Sequence, residues 1–329
     1  MNLSSENNQS NKFFFCKPDQ LHNPVYVVTP VINSGRFRTR WRLYQNFEKM
    51  IEEAGGILYT VEVAFGSRDF AVTQPNNPRH LQLRTHQELW LKERAINLMV
   101  SRLPVDWKKV LWIDADCEFA RPDFISQASH LLEHYPVIQL WSEMHDLSPE
   151  YETMGTFRSF MSVQLDGNKP CGYNKKKYQF GSPGLAWGAR REAWNQFGGL
   201  IDHTILGAGD WYFAHAMMGT MKAALCRNPP PKQVKKLFEY QDRIIEGRWE
   251  ERPLVGNVGL MRGSTFHYWH GPRVNRGYST RGNILIKHDF DPDLDLKPDW
   301  QGLYQLTNRK PEMRREIQQY FQERQEDKS

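Results

Sequence analysis

A chain of 329 residues has room for one large α/β domain or two small ones, and its 40% apolar content is ordinary for a globular protein. The net charge of +5 suits an anionic ligand such as a nucleotide and falls well short of histone-like density. Four cysteines, Cys16, Cys117, Cys171 and Cys226, with no CxxC pair, argue against a disulfide scaffold or a zinc ribbon and favour a reducing compartment.

Residues 1–23 are rich in Ser, Asn and Lys and read as a flexible leader; residues 1–11 lack the apolar core of a signal peptide. No apolar run is long enough for a bilayer span, so the expectation is a soluble cytoplasmic protein (host cytoplasm, if the source is viral) with no membrane partner. Residues 25–29 (VYVVT), closed by Pro30, form a buried strand. Phe37, Trp41, Tyr44, Phe47 and Ile51 give 36–54 a helical period, which Gly55 and Gly56 stop. A strand over 57–63, a helix over 87–103 and a strand over 109–113 follow. That alternation is the mark of a parallel sheet covered by helices, with the C-terminal strand ends along one edge, where open α/β sheets bind ligands.

Beyond Arg121 the pattern is less regular. It supports a helix over 122–134, a strand over 137–140, a Lys-rich loop over 166–179, a strand over 184–188 and a helix over 190–197. Helices over 210–221 and 232–241 and an amphipathic one over 311–329 complete the chain, the last with Pro311 at its first position. The fold class is thus α/β: a mixed, mostly parallel central sheet flanked by helices. A single domain over 24–290 divides into a nucleotide-binding half (24–121) and an acceptor half (122–290), with a C-terminal extension over 291–329.

The sharpest chemical feature is the fully apolar strand VLWI (110–113) running into Asp114 and Asp116. If strand geometry persists, both carboxylates project to one side, where they repel unless a cation lies between them. A hard divalent ion, Mn2+ or Mg2+, fits such a pair and would neutralise a diphosphate leaving group. Asp210 follows Gly207, Ala208 and Gly209 at a helix start, an N-cap-like place that favours a fixed carboxylate. It is the candidate general base for an acceptor hydroxyl, with Asp202 a weaker competitor. His267 and His270 lie in an aromatic, Gly-flanked run; on a strand they would face opposite ways, so a single ligand is expected, and Gly271 favours His270. Arg273, Arg276, Tyr278 and Arg281 suggest a basic loop over a diphosphate. Lys92 is the cation best placed for a phosphate, with Arg36, Arg40 and Asn97 weaker candidates.

The strand-Asp-x-Asp run after two βα units resembles the DxD signature of GT-A glycosyltransferases. The Gly181–Trp194 segment, Phe197-Gly-Gly-Leu200 and Gly207-Ala-Gly-Asp210-Trp211 are similar to the acceptor side of galactosyltransferase-like members. The resemblance implies Asp114 at the ribose or metal, Asp116 and a histidine as metal ligands, and Thr29, Pro30 and Glu62 around the nucleotide. It also implies a UDP-sugar donor, and Asp210 as base would make a hexosyltransferase inverting. Those enzymes carry adjacent acids where this chain has Asp210 alone. The cadence, with DFDPDLD at 289–295, is also similar to glycosyltransferase-like proteins of tailed bacteriophages. The acceptor is then a glycan or a hydroxymethylated DNA base, with lysines at 175–177 and 232–236 available to phosphates. A metal-dependent nucleotidyltransferase and a non-catalytic sugar- or DNA-binding module are the alternatives. No GxGxxG or GxxxxGK[ST] loop supports a Rossmann or P-loop reading.

Overall fold

A computed structural model describes residues 24–167, 181–278 and 280–324. Cys16, Cys171, most of the 166–179 loop and its lysines lie outside the described residues, as does the Arg273 side chain.

The N-terminal half runs β1 (Val25–Ile32), α1 (Arg38–Glu53), β2 (Ile57–Phe65), β3 (His80–Thr85), α2 (Lys92–Val100) and β4 (Lys109–Ile113). It continues through β5 (Cys117–Phe119), α3 (Phe124–Leu131), β6 (Val137–Gln139), β7 (Glu143–Leu147), β8 (Thr153–Ser159), α4 (Phe160–Leu165), β9 (Gly181–Ser182), β10 (Ala186–Arg190), α5 (Arg191–Phe197) and α6 (Gly209–Met217). The seven-stranded central sheet has the order Val258–Leu260, β6, β10, β4, β1, β2, β3. All neighbours are parallel except β10, which runs antiparallel to both β4 and β6.

Alternation along the strands divides the core between the two faces. Tyr26, Val28, Val110 and Trp112 face α2, α6 and the helix Pro311–Gln322; Val25, Val27, Leu111 and Ile113 face α1 and α3. Helices on both faces explain why β2 is buried throughout its length. The α/β class and the mostly parallel sheet are therefore as the sequence implies. Met313, Ile317 and Tyr320 of the C-terminal helix belong to the same core as Trp112, so the 291–324 segment packs into the body.

Three local differences have physical causes. β1 does not stop at Pro30: its pairing with β4 ends at Val28, so a residue lacking N–H is tolerated beyond it, and β2 alone guides the strand to Ile32. The helix expected from residue 87 starts at Lys92; residues 87–91 are irregular, with the Trp90 N–H donating to the Ile205 carbonyl. β3, with its alternating burial, was not anticipated.

A second sheet, also unanticipated, has the order β5, Ser264–His267, β7, β8, β9. Its strands are short and distant in sequence. They pair β5, the continuation of the Asp114–Asp116 turn, with the histidine-bearing strand.

Candidate active site

The C-terminal ends of β1, β2 and β4 open into a cavity of about 450 Å³. Pro30, Phe65, Asp114 and Asp116 approach it from the central sheet, and Asp210, His270, Arg276 and Arg324 from elsewhere. This is the edge where an open α/β sheet accepts ligands.

β4 ends at Ile113, and the chain turns at Asp114, whose N–H donates to the Leu185 carbonyl at 2.8 Å. Strand geometry does not persist, so the two carboxylates diverge instead of sharing a side. Asp116 meets two imidazoles. The register explains the meeting: His267 pairs with Cys117 on one side and with Asp146 of β7 on the other. Asp146 Oδ1 lies 2.6 Å from His267 Nδ1, leaving Nε2 directed inward. His267 Nε2 stands 3.1 Å from His270 Nε2, which stands 3.3 Å from Asp116 Oδ2. Both histidines converge, contrary to the alternation argument, because the strand ends at His267 and the chain turns before His270.

The fit of this trio to a divalent ion can be tested from its own chemistry. Ligands around an ion with bonds of ~2.1 Å lie roughly 3 Å apart when adjacent, close to both spacings. Burial, reinforced by Arg276 and His267, lowers the His270 pKa well below its usual value, so the ring is neutral with a lone pair to give. Asp116 Oδ1 is buried with no hydrogen-bond partner among the described residues. The Asp146 carboxylate fixes the His267 ring by the device common around metal-bound histidines. The residues fit the ion.

Asp114 turns the other way, with both oxygens on Lys92 Nζ at 2.5 and 2.6 Å. Burial alone would lower the lysine pKa, but Asp114, Glu93 and Asp210 outweigh it and raise it, so the ammonium stays charged. Asp210 lines the cavity from the first turn of α6; the N-cap is Ala208, in the left-handed region at φ 75°. Asp210 Oδ1 accepts from the Trp211 N–H at 2.8 Å.

The same cavity also has a basic lining. Arg276, Arg281 and Arg324 are each at most 9% exposed, yet all line the cavity. Arg281 and Arg324 lie over the Trp90 ring, and Arg281 also over Tyr278. Arg276 Nη1 donates to the Tyr278 hydroxyl, while its buried Nε has no hydrogen-bond partner among the described residues. Clustered buried guanidinium groups are costly without a compensating anion. The cavity thus brings a trio of candidate cation ligands and three buried guanidinium groups together.

No family model and no curated protein sequence matches the chain. Its likeness is to solved structures. One is the catalytic domain of Drosophila β1,4-galactosyltransferase 7 with xylobiose, at 12% identity over 88% of this chain and 97% of that one, with a TM-score of 0.39. A mutant of the same enzyme with manganese, UDP-Gal and xylobiose gives 13%, 88%, 97% and 0.38. Residues 1–349 of S. aureus TarS with UDP-GlcNAc give 11%, 69%, 68% and 0.38. These are distant likenesses, and the chemistry below rests on the site residues themselves.

Several residues expected at the site have other tasks. Thr29 is fully buried and donates to the Ile113 carbonyl, tying β1 to β4; it does not line the cavity, whereas Pro30 does. Glu62 also lies away from it, accepting from the N–H groups of Ala71, Val72 and Thr73 and from the Thr73 hydroxyl, which pins the loop after β2. Asp202 is held by Arg94 and Asn97. Lys232 pairs with Asp289 and Asp291, and Lys236 with Asp293, so three acids of the DFDPDLD run are partnered by the basic helix. Asp146, Glu93 and Arg324 were missed. The signal for Asp146 was an acid at a buried position of an alternating strand; Arg324 gave none, lying far along the chain from the acids it faces.

Proposed function

We propose that this chain is a divalent-metal-dependent glycosyltransferase of GT-A-like architecture. It moves a sugar from a nucleotide-sugar, with UDP-sugar the expected donor, to an acceptor hydroxyl. The observation that carries this reading is the convergence of Asp116, His267 and His270 with buried Arg276, Arg281 and Arg324 in one cavity at the strand ends. Asp116, His267 and His270 would hold Mn2+ or Mg2+, which when bound supplies positive charge to the departing diphosphate. Arg276 and Arg324 bind the same phosphates, and their fixed positions need no reorganisation as charge develops. Lys92 orients Asp114, leaving that carboxylate to accept from donor hydroxyls. Pro30 and Phe65, at the ends of β1 and β2, offer an apolar surface for the base.

Asp210 supplies the proton chemistry. As the acceptor oxygen forms its bond to the anomeric carbon, the bond from that carbon to the diphosphate oxygen breaks. The hydroxyl proton passes to Asp210, and attack opposite the leaving group inverts the anomeric centre. The test is nucleoside-diphosphate release across a panel of nucleotide sugars with manganese. Release from one donor, lost in Asp116→Ala and, with donor affinity retained, reduced in Asp210→Asn, is the expected result. Release of pyrophosphate would instead identify a nucleotidyltransferase, and no release with no manganese-dependent thermal shift would refute the assignment.

A further inference from the structure

Behind Asp210 lies a carboxyl group that touches neither the metal trio nor the basic lining. Glu93, in the first turn of α2, is only 5% exposed. The start of α6 rests directly on it: a Cβ at Gly209 would fall 2.7 Å from Glu93 Cδ and 2.8 Å from Oε1. Only glycine fits there. The turn above is unusual, with Gly207 at φ 88° and Ala208, a residue with a Cβ, at φ 75°. A left-handed alanine costs about 1 kcal/mol and persists only where its surroundings hold it. A chamber of about 20 Å³, room for one water at most, is lined by Glu93, Lys92, Gly209 and Asp210 and backed by Trp112 and Phe213.

We propose that Glu93 is a positioning residue for Asp210, bracing the Gly207–Gly209 turn so that the proton-accepting carboxylate faces the cavity. This rests on the reading of Asp210 as the base. The role requires a neutral carboxyl. An ionised Glu93 would repel Asp210 and compete with Asp114 for Lys92. The charged groups facing it are Lys92 from its own helix, Asp114 at the end of β4 and Asp210 from α6; the remaining chamber wall is mainly apolar. Burial first, then the charges of Asp210 and Asp114, outweigh Lys92 and push the Glu93 pKa up to about 8. Glu93 therefore keeps its proton at neutral pH and loses it in mildly alkaline solution.

The decisive comparison is wild type against Glu93→Gln, which imitates the protonated carboxyl. A carboxyl whose folded pKa lies above its unfolded value makes the fold less stable as pH rises between the two, with no further change above the higher one. The melting temperature of Glu93→Gln should therefore gain on wild type from about pH 5 to about pH 8 and then hold a constant lead. That readout needs no catalysis. In turnover, kcat of Glu93→Gln relative to wild type should climb above pH 8 with donor KM unmoved, and Glu93→Ala should lower kcat by ~10- to 100-fold through a misplaced base. A lead that does not vary with pH overturns the proposal whatever the activity. A widening lead with identical alkaline kcat profiles overturns the positioning role. If Asp210→Asn turns over like wild type, the assignment of the base fails and takes this role with it.

Discussion

Changing Asp146 to Asn removes the negative charge from the bond that orients His267 while keeping its size. Both side chains are almost fully buried and their atoms meet at 2.6 Å, so no water can replace the carboxylate. Loss of such an outer partner weakens metal affinity by ~10- to 100-fold, about 1.4–2.7 kcal/mol. The consequence for stability follows by linkage. At manganese 100 times the wild-type Kd, binding stabilises the wild type by about 2.7 kcal/mol; for a Kd raised 10- to 100-fold the same concentration gives only about 1.4 to 0.4 kcal/mol. At roughly 2 °C per kcal/mol for a chain of this size, the manganese-induced rise in Tm drops from ~5 °C to ~1–3 °C. Thermal melting with and without manganese reads this directly, and calorimetric titration gives the Kd. An equal shift in Asp146→Asn and wild type would refute the orienting role. No shift in the wild type would refute the metal trio.

Three further outcomes are expected. Lys92→Met strands the Asp114 carboxylate; with the side chains 18% and 24% exposed, the loss is about 2–3 kcal/mol, below that for a fully buried pair, and adding Asp114→Asn should recover part of it in denaturant unfolding. Gly188→Val puts a Cβ 2.4 Å from Leu111 Cδ2 in the middle of the central sheet, and should cost about 2–3 kcal/mol in the same assay. His215 is buried between Phe160 and Trp211, and its pKa is lowered to about 4, chiefly by burial. The unfolded chain then binds a proton that the folded one refuses, so stability falls as pH drops from about 6.5 to 4, by up to about 3 kcal/mol. His215→Gln should flatten that acid limb in melting curves, and an unchanged limb would show that other groups control it.

The β-branched runs at 25–28 and 57–63, the helical period between them and the apolar strand before Asp114 fixed the α/β class, because each pattern is local and each buries the face it predicts. The same locality made Asp114, Asp116, Asp210 and the two histidines visible as candidates. How they group was not local. Whether Asp114 takes a metal-facing or a lysine-facing direction depends on where β4 ends and on Lys92, which approaches from α2 across the sheet edge. The meeting of His267 with both Asp116 and Asp146 depends on a second sheet whose strands are short and whose paired residues include Cys117 and His267, far apart in sequence. Hydrogen-bond register across such separations leaves no periodic trace in the chain. Glu62 makes the same point in reverse: an acid near a strand end reads as a ligand contact, until a neighbouring loop turns three backbone N–H groups toward it. Residue types and the α/β class are thus written in the sequence, whereas the direction of each carboxylate is decided by which partner, charge or donor, the tertiary fold brings within reach.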